Sequence, residues 1–150
     1  PAQLLKSGFR GRPMIHTTSS GTQGIVHATG ASEILTGSFV NAGAIVRYIR
    51  ECRPGRVSLV CMGYACQYPT DEDTLCAEYI LNALEGRESD FPAMKEVIRH
   101  GSGARFFEAA SQAWAPAADF DLCLQLSRFD FVLRAEKNKE GLFLHKIEVH

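Results

Sequence analysis

Apolar residues recur along this chain with two periods, and the change from one to the other marks out the elements. Residues 41–52 place Ala44, Ile45, Tyr48, Ile49 and Cys52 on one stripe, which is helical spacing, and Pro54-Gly55 ends it. Residues 71–84 carry the strongest helical stripe, made of Leu75, Cys76, Tyr79, Ile80, Ala83 and Leu84. Asp71, Glu72 and Asp73 open that helix, where negative charge complements the helix start, and Gly86 closes it. Further helices are predicted over 22–28, 91–99, 104–114 and 119–126, with 91–99 and 104–114 split from one another at Gly101-Ser102-Gly103. Strands are predicted at 13–17, 33–36 and 56–62, with a closing pair at 131–135 and 142–149. The run 56–62 (RVSLVCM) is almost continuously apolar, as in a central strand covered on both faces.

Strands alternating with helices predict a single α/β domain over 1–150: a three-layer α/β/α arrangement around a mostly parallel (mixed) sheet. In such sheets ligands bind beyond the carboxyl ends of the strands, which picks out the loops 18–22, 38–41 and 63–73.

Composition narrows the function. With 45% hydrophobic and 22% charged residues, the 150-residue chain has the make-up of a globular domain. A formal net charge of -1 with no basic run excludes a dedicated nucleic-acid binder, and no apolar stretch approaches the ~20 residues of a membrane span. No signal-peptide pattern is seen, and five cysteines without a CxxC pair point to reduced thiols in the cytoplasm rather than to zinc or disulfides. The first residues, PAQLLKSGFRGRP, look like a helix end and a turn, so the chain is expected to begin inside a larger protein. Trp114 and most of the Phe residues fall at core-like spacing and are expected to pack inside.

Three segments carry candidate chemistry. Thr18, Ser19, Ser20, Gly21, Thr22 and Gln23 join a strand to a helix through hydroxyls and a glycine. Unpaired N–H groups at a helix start attract anions, so this loop is a candidate phosphate cradle. An equally open reading is that Ser20 or Thr22 merely caps the helix. Glu72 and Asp73, after the expected central strand, are candidate Mg²⁺ ligands, since Mg²⁺ takes one or two carboxylates plus substrate oxygens and water. Ordinary pairing with the helix dipole competes with that role. Arg128, within Ser127-Arg128-Phe129-Asp130, could fork onto an anion or form a surface ion pair. His16, in a strand beside the hydroxyl loop, could reach the site, but a packed or strand-edge histidine is the expectation.

Taken in order, these pieces resemble a known family. Thr17, Thr18, Ser20, Gly21 and Thr22 form a TT-x-x-GT-like turn; Ser38, Phe39, Asn41 and Ala42 follow; then come VSLVCMG, the Glu72-Asp73 pair opening a helix, and Arg128-Phe129-Asp130. This order is similar to the C-terminal portion of the 2-phosphosulfolactate phosphatase (ComB) family. The resemblance implies a longer chain and Mg²⁺-dependent hydrolysis of 2-phospho-3-sulfolactate to 3-sulfolactate and phosphate, a step toward coenzyme M in methanogens. It implies catalytic and metal-binding roles for Glu72 and Asp73, and phosphate binding by residues 18–23. It also implies substrate contacts from Asn41 and Arg128. Ser20 stands where the family has Asn, and Gln23 where it often has Arg. Losing that Arg removes a bidentate anion ligand, so a second expectation stands beside the first: a non-catalytic member binding a small phosphorylated or sulfonated metabolite. A partial α/β domain is also expected to expose strand edges, through which two copies could pair.

Overall fold

The computed structural model describes residues 1–9 and 11–150. Its helices are α1 (Gly21–His27), α2 (Ala42–Cys52), α3 (Asp71–Leu84), α4 (Phe91–His100) and α5 (Ala117–Cys123). One three-stranded sheet is formed by β1 (Leu35–Thr36), β2 (Phe131–Lys137) and β3 (Leu142–Glu148), in that spatial order.

Local chemistry accounts for the helix ends. Asp90 caps α4 by accepting from the Ala93 N–H at 3.0 Å, and Pro92 lies in the first turn, where its missing N–H costs nothing. Arg99 and His100 close the same helix, favourably for its dipole. Helix α2 ends at Arg53, which takes a left-handed φ of 47° and donates its N–H to Ile49 O, just before Pro54 blocks continuation.

Packing runs from β2 to α2, then to α3 and α4. Ala44, Ile45 and Val46 of α2 meet Val132 of β2, Ile80 of α3, Ile98 of α4 and Phe120 of α5 in one core. Phe39 sits among these, its ring 5.2 Å from that of Phe91 and 6.2 Å from that of Tyr79. These aromatics bury large areas in tilted and edge-on contacts, the geometry that their quadrupoles favour.

The fold is α/β, but the sheet differs from expectation. Both strand pairings are antiparallel: Leu35 faces Arg134, and Phe131 faces Glu148 across the hairpin. The expected mostly parallel sheet is therefore absent among the described residues. Residues 13–17 and 56–62 form no strand, because no second strand among the described residues lies beside them to take their backbone bonds. Residues 104–114 give two 3-10 turns, Ala104–Phe107 and Ala109–Ser111, instead of a helix. Trp114 is exposed rather than packed. No helix among the described residues is long and apolar enough to cross a membrane.

Candidate functional site

The hydroxyl loop and the acidic start of α3 are both tied to one connecting loop, residues 63–68. Ser20 is buried, and its Oγ accepts the Cys66 N–H at 3.2 Å. Asp73 Oδ2 accepts the Gly63 N–H at 2.7 Å. The loop between is a tight hairpin: Tyr64 and Tyr68 exchange backbone bonds of 2.8 and 3.1 Å, and Gln67 N donates to Tyr64 O. Ala65 and Cys66 both have positive φ, 54° and 57°, as the central residues of a type I′ turn require. Neither is a residue that favours this region, so the turn is strained and is held by its outside bonds. Gly63 has no alternative. Its φ is 61°, and a Cβ there would lie 2.1 Å from Tyr68 O.

The helix cap differs from both residues expected for it. Thr18 Oγ1 accepts the Thr22 N–H at 3.1 Å, and Thr22 Oγ1 donates to Thr18 O at 2.9 Å. Thr18 thus caps α1, which leaves the Ser20 hydroxyl to reach across to Cys66. Ser19 and Gln23 are exposed beside it. Gly24 lets α1 approach Met62 closely, since a Cβ would fall 2.4 Å from the Met62 sulfur.

The two acidic candidates point to different neighbours. Glu72 accepts from the Ser102 hydroxyl and lies 3.7 Å from the Arg105 guanidinium. Asp73 turns to Gly63, with the Cys61 thiol donating to its carbonyl at 3.4 Å. Burial pushes the Cys61 thiol up, and it pushes Cys76 up to about 12, with the nearby Asp73 charge adding to both. These thiols are therefore protonated near neutral pH. Among the described residues no group of three or more His, Cys, Asp and Glu side chains forms a metal site. Mg²⁺ in general takes as few as one carboxylate when substrate oxygens and water complete its shell.

Sequence reasoning missed the turn Gly101-Ser102-Gly103, read as a plain connection. Ser102 N donates to Asp71 Oδ2 at 2.8 Å while its hydroxyl bonds Glu72, so this turn holds the front of α3. A Cβ on Gly101 would meet Asp71 Oδ2 at 2.0 Å, and the glycine-serine-glycine string was the available signal for such a close approach.

Asn41 and Arg128 belong to a second cluster. Asn41 is buried; its Oδ1 accepts from the Ser38 N–H at 2.9 Å and the Ser38 hydroxyl at 3.2 Å, and its Nδ2 donates to Thr36 O at 3.2 Å. Residues 127–129 strap the start of α2. Ser127 N donates to Phe39 O, Phe129 N to Val40 O, and Ser127 Oγ accepts the Gly43 N–H. Arg128 itself is exposed, paired with Gln125. His16 is exposed as well. Two surface hollows, of about 390 and 290 Å³, are lined by Arg47, Arg50, Glu51, Glu148 and His150, and by Tyr79, Ala83, Arg87, Glu88 and Ser89. Neither involves a candidate residue.

The model of the 2-phosphosulpholactate phosphatase family matches residues 1–138. The chain belongs to this family. Its curated relatives include proteins named probable 2-phosphosulfolactate phosphatase. The one from Caldanaerobacter subterraneus is 26% identical over 158 residues, covering 95% of this chain and 62% of its own length. The one from Symbiobacterium thermophilum is 34% identical over 86 residues, 57% of this chain and 36% of that protein. A Synechocystis family member is 32% identical over 91 residues, 61% and 37% respectively. The chain thus spans less than two thirds of the length of these family members. No solved structure gives a significant match.

Proposed function

We propose that this chain is the C-terminal part of a Mg²⁺-dependent phosphatase of small phosphorylated hydroxy acids, converting 2-phospho-3-sulfolactate to 3-sulfolactate and phosphate. The observation that carries this reading is the family match across residues 1–138. Hydrolysis adds the oxygen of water to phosphorus and breaks the bond from phosphorus to the substrate's C2 oxygen, which leaves with a proton.

In this reading the phosphate lies against Thr18, Ser19, Ser20, Gly21, Thr22 and Gln23. Thr18 and Thr22 already bond one another, so the anion shares or replaces those bonds. Asp73 and Glu72, adjacent in the chain, would hold Mg²⁺, which would supply neutralisation of charge on the phosphate oxygens. The link from Ser20 through residues 63–68 to Asp73 supports the phosphate and metal sides acting together. Asn41 and Arg128 contact the rest of the substrate. The three-layer α/β/α architecture, a cytoplasmic setting and homodimerisation belong to the same proposal for the family-length protein.

The test is phosphate release from 2-phospho-3-sulfolactate by the family-length protein, with Mg²⁺ or with chelator, comparing Asp73→Asn. Asn keeps an acceptor for the Gly63 N–H and removes only the charge. Turnover is expected to fall about 100-fold or more, the scale for deleting a charge-stabilising group. Undiminished turnover removes Asp73 from the mechanism.

The second reading, a non-catalytic binder, is favoured by Ser20 and Gln23 and by the prior commitment of the Ser20 hydroxyl to Cys66. Saturable heat of binding to phospho-acids, with no phosphate released, would select it.

A further inference from the structure

Asp71, Glu72 and Asp73 put their carboxylates together in the first turn of α3. An anionic substrate beside them meets repulsion unless a cation stands with them. The loop 18–23 supplies none, since none of its residues carries a positive charge. The turn that holds the front of α3 does. Ser102, bonded to both Asp71 and Glu72, leads into the 3-10 turn Ala104–Phe107, on which Arg105 lies. The Arg105 guanidinium is 3.7 Å from Glu72 Oε1, too far for a hydrogen bond, and 5.1 Å from the centre of the Phe106 ring. Arg47, Arg50, Arg87, Arg128 and Arg134 each donate to a protein acceptor. Arg105 donates no side-chain hydrogen bond among the described residues. The turn beneath it is fixed: Gly103 N donates to Ile98 O at 2.8 Å, Ala104 N donates to Gly101 O at 3.0 Å, and Phe106 packs against the core. Arg105 is thus a half-exposed cation with open donors, positioned in advance beside the candidate carboxylates.

We propose that Arg105 binds the acid group of the substrate that is not transferred, a carboxylate or sulfonate. Its planar guanidinium presents paired N–H donors that match two oxygens of either group. The Glu72 charge orients the guanidinium without occupying its donors, because the near carboxylate oxygen stays 3.7 Å away while the other is held by the Ser102 hydroxyl. Lys at this position would bring the same charge without the fork. Ser102 and the turn Ala104–Phe107 then do two things at once: they fix the start of α3 and they set the cation beside it. This assignment rests on the phosphatase reading for the identity of the substrate, and its main readout is binding, which needs no turnover.

The test is calorimetric binding of 3-sulfolactate and of inorganic phosphate to the family-length protein and to its Arg105→Gln and Arg105→Lys variants. Gln is expected to weaken 3-sulfolactate about 10-fold or more, the scale of a lost charge-assisted pair, and to leave phosphate within about twofold. Lys should recover part of the loss, which a merely misfolded protein would not show. In turnover, the KM for 2-phospho-3-sulfolactate should rise about 10-fold in Gln with kcat little changed, because a group whose charge is constant during hydrolysis is held equally in ground and transition states. The proposal is overturned if Gln binds 3-sulfolactate as tightly as the parent, or if phosphate weakens by the same factor. It is also overturned if the parent binds no 3-sulfolactate. A parent that binds 3-sulfolactate through Arg105 yet releases no phosphate overturns the phosphatase reading and keeps this assignment. Full turnover with an unchanged KM in Gln does the reverse.

Discussion

Replacing Asn41 by Ala should damage the fold before it damages any site. Its amide makes three bonds, two from Ser38 and one to the Thr36 carbonyl, at 2.9, 3.2 and 3.2 Å. Each is worth about 1 kcal/mol net. Ser38 is exposed, so water partly replaces its two bonds. The expected loss is therefore about 2–3 kcal/mol, against a typical total of about 5–15 kcal/mol for a domain. For a chain of this size that lowers the melting temperature by roughly 5–10 °C. Asn41→Asp keeps an oxygen for Ser38 but turns a second, anionic oxygen toward the Thr36 carbonyl in a buried site. Its charge, sitting at the start of α2, recovers about 0.3–1 kcal/mol from the helix dipole. That gain does not offset the buried charge, so Asp should cost at least as much as Ala. Urea unfolding followed by circular dichroism measures both. The reasoning fails if Ala unfolds within about 0.5 kcal/mol of the parent, the ordinary range of a surface change. It also fails if Asp is less harmful than Ala.

The hairpin that links Ser20 to Asp73 makes opposite predictions at adjacent positions. Ala65→Gly should stabilise by about 0.5–1 kcal/mol, because Gly accepts the positive φ without strain, and a higher urea midpoint would report it. Gly63→Ala should cost about 2 kcal/mol or more, since the added methyl meets Tyr68 O at 2.1 Å; an unchanged midpoint would exclude that close approach. Cys76 should make stability fall in alkali. Its thiol rises from the ordinary 9.0 to about 12 on folding, chiefly through burial, so the folded chain keeps a proton that the unfolded chain releases. The contribution is whole below pH 9 and is lost as the pH climbs toward about 12. Urea midpoints at pH 8 and pH 10 should therefore drop more for the parent than for Cys76→Ala, and equal drops would exclude Cys76 as the cause.

The sequence by itself determined the helices that carry a repeated apolar stripe and local end signals. Helix α3 runs from Asp71 to Leu84 as its acidic start and Gly86 foretell, and Asp90 with Pro92 opens α4. The β2–β3 hairpin was equally legible, because its strands are neighbours in the chain and Asn138 and Gly141 shape the turn between them. Bonds between residues a few positions apart depend only on what lies in that window. Other features depended on the tertiary structure. The apolar run 56–62 has the composition of a strand, yet a strand exists only through bonds to another strand, and none is adjacent among the described residues. The cap of α1 fell to Thr18 because Cys66, distant in sequence, claims the Ser20 hydroxyl. Glu72 and Asp73, adjacent in sequence, diverge because successive helical side chains point about 100° apart, so one meets the 101–103 turn and the other Gly63. Which hydroxyl caps, which carboxylate turns toward which loop and which strand finds a partner were decided by contacts between distant residues, whose geometry no local window contains.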